Sequence, residues 1–208
     1  MRLKKEAEER RTEILDIAER LFCTKGFDQA STNDILNEIG IARGTLYYYF
    51  KSKEDILDAM IDRITNQIVA KATIIALDES VPVLERLTRT ILSLNVDSEL
   101  GDMIMEQVHK PQNALLHQKL QEKLLGRVNV LITKIVEDGI NQGIMHTDYP
   151  DEAVDMIMTY SYVTFDSERQ YDAQEEQRKI AGFVYHTERI LCMEPGMLMD
   201  AMKPIFFK

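Results

Sequence analysis

A chain of 208 residues with 45% hydrophobic side chains is long enough for one large or two small domains and can bury a substantial core. Its formal net charge of -10 excludes a uniformly basic protein, so any nucleic-acid-binding surface must be a local basic patch. No segment approaches the roughly 20 apolar residues of a membrane span, and residues 1–11 contain no apolar run typical of a signal peptide. We therefore expect a cytoplasmic protein with no membrane partner.

Apolar residues at helical spacing predict a first helix from about Lys5 to Thr24. They are Ile14, Ile17, Ala18, Leu21 and Phe22. Gly26 is expected to end this helix, with Phe27 folding back onto its end. Cys23 in this helix and Cys192 in a later one both lie in apolar patterns, which favours two buried thiols over a disulfide.

Residues 31–53 predict two short helices joined by a tight turn. Ser31 is a typical N-cap for the first of them, and Asp34 three residues later completes a capping box. Gly40 supplies the positive φ that ends this helix. Leu46 and Phe50 lie four residues apart on the second helix and are expected to enter the core. The second helix also carries Arg43, Gly44, Thr45, Tyr47, Tyr48 and Tyr49.

The charge and aromatic content of the second helix indicate that one of its faces meets nucleic acid. Residues 39–53 include three basic side chains and no acidic one, although the chain as a whole is acidic. Three consecutive tyrosines span about 200° of a helix, so at least one must point away from the core. There a phenol can reach a phosphate or a thymine methyl group. A helix-turn-helix with its second helix in a major groove accounts for the pattern.

A longer set of residues keeps fixed spacing: Gly26-Phe27, Ser31-Thr32-x-x-Ile35, and Gly40-Ile41-x-x-Gly44-Thr45-Leu46-Tyr47-x-x-Phe50-x-x-Lys53-x-x-Ile56-Leu57. It resembles the DNA-binding domain of TetR-type transcriptional repressors, over about the first quarter to third of the chain. The resemblance implies an all-α fold with an N-terminal three-helix helix-turn-helix DNA-binding domain at residues 1–52. It also implies a C-terminal helical ligand-binding and dimerisation domain at residues 53–208, in which residues 53–77 form a linking helix. Ala42 departs from the family, which usually has Ser or Thr there, and alanine caps a helix less well by about 1 kcal/mol.

The resemblance, together with the chemistry of these side chains, implies a set of DNA contacts. They are Ser31, Thr32, Asn33, Ala42, Arg43, Gly44, Thr45, Tyr47, Tyr48, Tyr49 and Lys53. Arg43 lies in the first turn of the recognition helix, the part that meets base edges in helix-turn-helix proteins. Gly44 has no side chain, so the backbone there can approach DNA closely. Glycine inside a helix costs about 1 kcal/mol relative to alanine, which makes a purely structural role for it less favoured. Lys53, in the first turn of the next helix, is predicted to make a phosphate site.

The rest of the chain carries no recognisable catalytic motif. Its pattern stays helical, and the last long helix is predicted from about Ala173 to Met193. Glu106 and His109 have the Glu-x-x-His spacing of di-metal carboxylate sites, but those sites need a second copy of the motif, which the sequence lacks. Nucleophile elbows, zinc-protease motifs and phosphate-binding glycine loops are also missing from the sequence. We therefore expect no cofactor, no metal and no enzymatic activity.

The segment from Ala153 to Phe165 leaves no wide polar face. A helix that is apolar all round must be buried all round, which requires a partner chain or a central position in the core. The resemblance implies a two-fold dimer built from the last two long helices, and the simpler alternative is that the segment is ordinary core. The dimer residues expected on this basis are Ile157, Met158, Tyr162, Phe183, Thr187 and Ile190.

The resemblance also places an effector cavity in the C-terminal helices. Methionine and aromatic enrichment indicates Leu100, Met103, Ile104, Tyr160 and Phe165 as its lining. Because the acidic excess repels anions, a hydrophobic neutral or cationic effector is expected. The sequence thus predicts a ligand-responsive repressor that binds a palindromic operator as a homodimer. Two alternatives stay open: a small-molecule-binding or enzymatic helical protein with a vestigial helix-turn-helix, and an effector-independent DNA-binding protein or activator.

Overall fold

The computed structural model describes residues 2–94, 113–165 and 171–206, and within them the chain forms nine helices and no strand. The helices are α1 (Arg2–Lys25), α2 (Thr32–Ile39), α3 (Arg43–Tyr49), α4 (Lys53–Ala76), α5 (Val83–Ser93), α6 (Ala114–Asn141), α7 (Pro150–Phe165), α8 (Ala173–Ile190) and α9 (Met197–Phe206). The predicted all-α fold is confirmed. None of the described helices is both long enough and apolar enough to cross a membrane.

The ends of two helices test the sequence-based boundaries. Gly26, with φ of 86°, ends α1 as predicted, and the Phe27 ring packs edge-on against Phe22 with the centroids 5.2 Å apart. At the other end of the chain, α8 stops at Ile190, three residues before the predicted boundary. Cys192 then adopts a left-handed φ of 47° in the following turn and is exposed. The expected burial is therefore confirmed for Cys23 and wrong for Cys192, because the turn carries its side chain out of the apolar stripe of α8.

The described residues pack as two compact units. Residues 2–67 and 113–123 form one unit, and residues 68–94, 124–165 and 171–206 form the other, so α4 and α6 each contribute to both. These are units of packing, and the functional division after residue 52 stays a prediction.

The first unit contains the three N-terminal helices and the first part of α4 around a common apolar core. Its fully buried side chains include Ile14, Phe22, Ile35, Leu46, Phe50, Ile56, Leu57, Met60 and Ile61. Arg63 of α4 pairs with Asp16 (2.5 Å) and with the buried Glu19 on α1. Lys119 of α6 lies 2.7 Å from Asp58 on α4. Ion pairs thus connect α4 to α1 and to α6 in this unit.

The second unit buries three charged groups as well as an apolar core. Arg86 on α5 is 1% exposed and donates to Asp138 on α6 at 2.6 Å, and Lys134 pairs with the same carboxylate. Burial alone would raise the pKa of Asp138, but the hydrogen bonds from Lys134 and Arg86 outweigh it and lower that pKa. Glu188 on α8 accepts hydrogen bonds from the amides of Gly196 (3.0 Å) and Leu198 (2.9 Å). This carboxylate therefore holds the start of α9.

Candidate nucleic-acid interface and ligand cavity

The first helix of the helix-turn-helix, α2, begins with a complete capping box. The Asp34 amide donates to Ser31 Oγ (3.2 Å), and the Ser31 amide donates to the Asp34 carboxylate (2.8 Å). Lys25 Nζ lies 2.8 Å from the same carboxylate. The hydrogen bonds from Lys25 and Ser31 lower the pKa of Asp34, so this cap is ionised at neutral pH. The predicted N-cap is confirmed, and it fixes where α2 starts.

A glycine turn connects α2 to the recognition helix α3. Gly40 has the left-handed conformation (φ 73°, ψ 30°), and its amide donates to the Leu36 carbonyl at 2.9 Å. Ala42 is the N-cap of α3 and gives no side-chain hydrogen bond, as its identity predicts. Leu46 and Phe50 are 1% and 2% exposed, so burial of these two side chains holds α3 in place.

The structure leaves all eleven predicted DNA contacts at least partly accessible. Those that are exposed are Ser31, Asn33, Ala42, Arg43, Gly44, Tyr47 and Tyr48; those that are half-buried are Thr32, Thr45, Tyr49 and Lys53. Within the tyrosine triplet, Tyr48 is 80% exposed and Tyr47 is 45% exposed. The Tyr49 ring packs edge-on against Tyr48 with the centroids 5.0 Å apart. The phenols of Tyr47 and Tyr48 are therefore the ones most available to a ligand.

A hydrogen bond joins the two helices at the exposed face. The Arg43 guanidinium, at the start of α3, donates to Asn33 Oδ1, in the first turn of α2, at 2.9 Å. Both groups are exposed and both are hydrogen-bonding types that read base edges. The hydrogen bond therefore holds Arg43 and Asn33, two side chains predicted to contact DNA, next to each other.

Gly44 stands in open space. A β-carbon built at this position meets no heavy atom within 4 Å, and the residue has no positive φ. Neither internal packing nor backbone conformation therefore requires glycine here. A requirement from outside the chain, such as close approach of a DNA backbone, remains as a physical reason for it.

Lys53 has internal partners that the sequence pattern does not reveal. Its Nζ donates to the carbonyls of Phe27 (2.8 Å) and Ala30 (3.2 Å) and lies 4.2 Å from the centroid of the Phe27 ring. The Phe27 amide in turn donates to Oδ1 of the buried Asn113 at 3.0 Å. Lys53 therefore connects the α1–α2 turn to the start of α4. In a contact with a DNA phosphate, its ammonium group would have to bind the phosphate in addition to these two carbonyls.

The second unit contains an apolar cavity of about 190 Å³. Its lining consists of Leu87, Ile91, Ile132, Val136, Val154, Ile157, Met158, Ser161, Phe165, Phe183, Thr187, Leu191, Leu198, Met202 and Ile205. Of the predicted effector residues, Phe165 lines this cavity, whereas Tyr160 lines a shallower groove beside it. The other three predicted residues, Leu100, Met103 and Ile104, lie outside the described residues, as do Glu106 and His109.

The helix α7 is not buried all round in the single chain, so the predicted burial would have to be completed by a partner chain. Met156, Tyr160 and Val163 are 64%, 48% and 47% exposed, respectively. They recur at i, i+4 and i+7, which defines one face of the helix. Because this face is apolar and exposed, the alternative that the segment is ordinary core is wrong.

The predicted dimer residues lie on different sides of this region. Phe183 and Thr187 on α8 are 7% and 6% exposed, so they are already buried within one chain. Ile157 and Met158 are half-buried and line the cavity. The remaining two, Tyr162 and Ile190, are half-buried. The sequence missed the more accessible apolar residues of the same region, which are Met156, Val163 and Tyr185.

Comparisons with known proteins agree with this architecture. The family model described as bacterial regulatory proteins of the tetR family matches residues 14–60, and the model of the tetracyclin repressor-like C-terminal domain matches residues 98–185. The chain is 32% identical over 143 residues to the fatty acid metabolism regulator protein of Bacillus subtilis, covering 63% of this chain and 68% of that one. It is 26% identical over 122 residues to the HTH-type transcriptional regulator TtgR of Pseudomonas putida, covering 58% of this chain and 55% of that one.

Solved structures show the same fold. A transcriptional regulator of the TetR/AcrR family from Thermobifida fusca superimposes with a TM-score of 0.55 at 23% identity, covering 84% of this chain and 97% of that one. GusR from Salmonella enterica superimposes with a TM-score of 0.57 at 17% identity, covering 88% of this chain and 95% of that one.

Proposed function

This chain belongs to the TetR family of transcriptional regulators, and we propose that it is a repressor that binds a palindromic operator as a homodimer and releases it when a small molecule binds. The observation that carries the DNA-binding part is the recognition helix α3, in which only Leu46 is buried. Of the seven residues in this helix, one side chain is buried in the core, and the others are at least partly accessible to a ligand. In a major groove, Arg43 would read a base edge and Tyr47 and Tyr48 would reach phosphates or thymine methyl groups.

The homodimer proposal rests on the exposed apolar face of α7. Met156, Tyr160 and Val163 form a continuous stripe, and Tyr185 on α8 is 55% exposed. An exposed apolar stripe of this kind is typical of a protein–protein contact. Two copies related by a two-fold axis would present two recognition helices, so the half-sites should lie one helical turn, about 10 base pairs, or a multiple of it apart.

The effector proposal rests on the apolar cavity of about 190 Å³ in the second unit. A well-formed apolar cavity is the usual place for a small-molecule ligand. The proposed functional domains are residues 1–52 for DNA and 53–208 for the effector and dimer contact, with α4 as the connection between them. Release of the operator requires the effector to bind one arrangement of the chain better than another.

Selection from a random pool of duplex DNA tests the proposal as a whole. We expect an enriched sequence with two-fold symmetry. Arg43→Ala should lose roughly 1–3 kcal/mol on the selected site and less on a scrambled one, because a base contact discriminates between sequences. Lys51→Ala is the control: Lys51 is exposed, and the loss of a lysine–phosphate attraction lowers affinity equally on both sites. Enrichment of a single asymmetric half-site would contradict the dimeric repressor.

A second experiment tests the dimer separately. Tyr160→Glu should convert the dimer into a monomer that keeps its helical circular dichroism, because it places a charge in the apolar stripe. Tyr149→Glu is the matched control, since Tyr149 is 69% exposed and lies before α7. Sedimentation of both variants decides the matter. A Tyr160→Glu protein that remains dimeric would show that the subunits meet elsewhere.

A further inference from the structure

Among the described residues, the wall of the cavity in the second unit is almost entirely apolar. Thirteen of the fifteen described lining residues are apolar, and the other two, Ser161 and Thr187, carry only a hydroxyl group as their polar part. None of the described lining residues is charged. An ion placed here would lose its hydration without gaining a partner of opposite charge, which is strongly unfavourable.

The buried charges of this unit are engaged elsewhere. Arg86 and Asp138 pair with each other at 2.6 Å, and the Glu188 carboxylate accepts the amides at the start of α9. Arg86 nevertheless has two buried nitrogen atoms, Nε and one terminal nitrogen, without a hydrogen-bond partner. An anionic ligand would need one of these nitrogens, but Arg86 is not among the residues that line the cavity. The walls therefore favour a neutral molecule over an anion.

The volume limits the size of that molecule. An apolar cavity of about 150 Å³ holds one benzene ring, so a cavity of about 190 Å³ suits a ligand of about eight non-hydrogen atoms. Two aromatic side chains form part of the wall: the rings of Phe165 and Phe183 pack edge to face with their centroids 5.5 Å apart. Aromatic side chains, together with the sulfur atoms of Met158 and Met202, interact favourably with a further ring.

We propose that this cavity takes a small neutral aromatic molecule, about the size of a substituted benzene, with at most one polar group directed to the Ser161 or Thr187 hydroxyl. This inference rests on the proposed function, because it specifies the effector of the same cavity. It narrows the sequence-based expectation, since it removes cations from the candidates and sets an upper limit on size.

Three probes of similar size separate the effect of charge from that of shape: benzyl alcohol, benzoate and benzylammonium. Calorimetric titration of the full chain should give at least hundredfold weaker binding for each ion than for benzyl alcohol. The compound 4-hexylbenzyl alcohol should bind no better than benzyl alcohol, although six added carbon atoms in an unlimited apolar site would increase affinity greatly. Equal or tighter binding of either ion, tighter binding of the hexyl compound, or no binding of benzyl alcohol would each overturn the proposal.

A matched pair of substitutions on α6 locates the site. Val136 is 1% exposed and lines the cavity, whereas Val130 is 68% exposed. Val136→Phe should reduce benzyl alcohol affinity at least tenfold by filling the cavity, and Val130→Phe should leave it unchanged. Ser161→Leu is the second cavity-filling variant, with the same expected loss, in case Val136→Phe fails to fold. A cavity-filling variant that folds and still binds benzyl alcohol normally would refute the location.

The same titrations distinguish this inference from the proposed function when they are repeated with the selected operator present. Benzyl alcohol that binds without weakening DNA binding supports the ligand class and contradicts effector-released repression. A charged probe that binds in the cavity and weakens DNA binding contradicts the ligand class and supports effector-released repression. A neutral ligand that weakens DNA binding must itself bind less tightly to the DNA complex by the same factor, which supports both.

Discussion

Replacing Gly44 with alanine should stabilise the folded protein and weaken its binding to DNA. The two effects have opposite signs because they come from different sources. Alanine is the better helix former, and the added methyl group meets nothing inside the chain. A DNA backbone that packs closely against the start of α3 would meet that methyl group directly.

The structure gives the size of each effect. No heavy atom lies within 4 Å of a β-carbon built at Gly44, so the substitution should cause no steric strain. The gain from helix propensity is up to about 1 kcal/mol, and less at the second position of a helix than in its interior. On the DNA side we expect at least a tenfold loss of affinity, which corresponds to about 1.4 kcal/mol.

Gly126→Ala is the matched control. Gly126 is an exposed residue within α6, and a β-carbon there also has no neighbour within 4 Å. Both variants should show a thermal unfolding midpoint equal to or above that of the parent chain, and only Gly44→Ala should bind the selected operator less tightly in a gel-shift titration. Unchanged DNA affinity for Gly44→Ala would refute the close approach of the backbone and leave this glycine unexplained.

Three further predictions follow from the first unit. Lys53→Ala should lower the free energy of unfolding by roughly 1–3 kcal/mol, because it leaves the carbonyls of Phe27 and Ala30 without this donor. Lys51→Ala should leave the free energy of unfolding unchanged. Equal urea unfolding midpoints for the two variants would argue against a structural role for the Lys53 hydrogen bonds. The lowered pKa of Asp34 means that its stabilising cap is complete above its unfolded pKa of about 3.9 and is lost as pH falls through the lower folded value. The difference in unfolding temperature between the parent chain and Asp34→Asn should therefore shrink below about pH 4, and a constant difference down to pH 2 would contradict this. Burial, with a smaller effect from the nearby Glu19, raises the pKa of Cys23 to about 11. Iodoacetamide at pH 8 should therefore label only the exposed Cys192 until denaturant is added. Two rapid adducts on the folded chain in mass spectrometry would contradict the protection of Cys23.

Local sequence determines most of the helix-turn-helix, which is why it could be predicted. The capping box at Ser31 and Asp34 involves residues three apart, and the left-handed turn at Gly40 depends on a single glycine. The missing side-chain cap at Ala42 likewise follows from one residue identity. Each of these features is specified within one turn of a helix, so no tertiary contact is needed to infer it.

The internal role of Lys53 could not be predicted because its partners are distant in sequence. Its ammonium group bonds to the carbonyls of Phe27 and Ala30, which lie 26 and 23 residues earlier. The amide of Phe27 meets Asn113, 86 residues later. A backbone carbonyl carries no signature in the sequence, so a lysine near a helix N-terminus predicts a phosphate site equally well whether or not its charge is already engaged. The exposed Cys192 has a related cause, since the turn that follows Ile190 interrupts an apolar pattern that continues in the sequence.

The helix α7 shows what amino-acid composition alone can predict about the contacts of a helix and what it leaves open. An apolar helix without a polar face predicts contact on all sides, but it does not say with what. In the structure Val154 and Met158 line the cavity, whereas Met156, Tyr160 and Val163 are exposed. One face would therefore hold the proposed effector and another the proposed second subunit, so a ligand that repacks the inner side chains would act on the same rigid element that meets the partner. A charge on the outer face, as in Tyr160→Glu, should then change the oligomeric state while leaving benzyl alcohol affinity within about twofold, whereas loss of both properties would show that the two faces do not act independently.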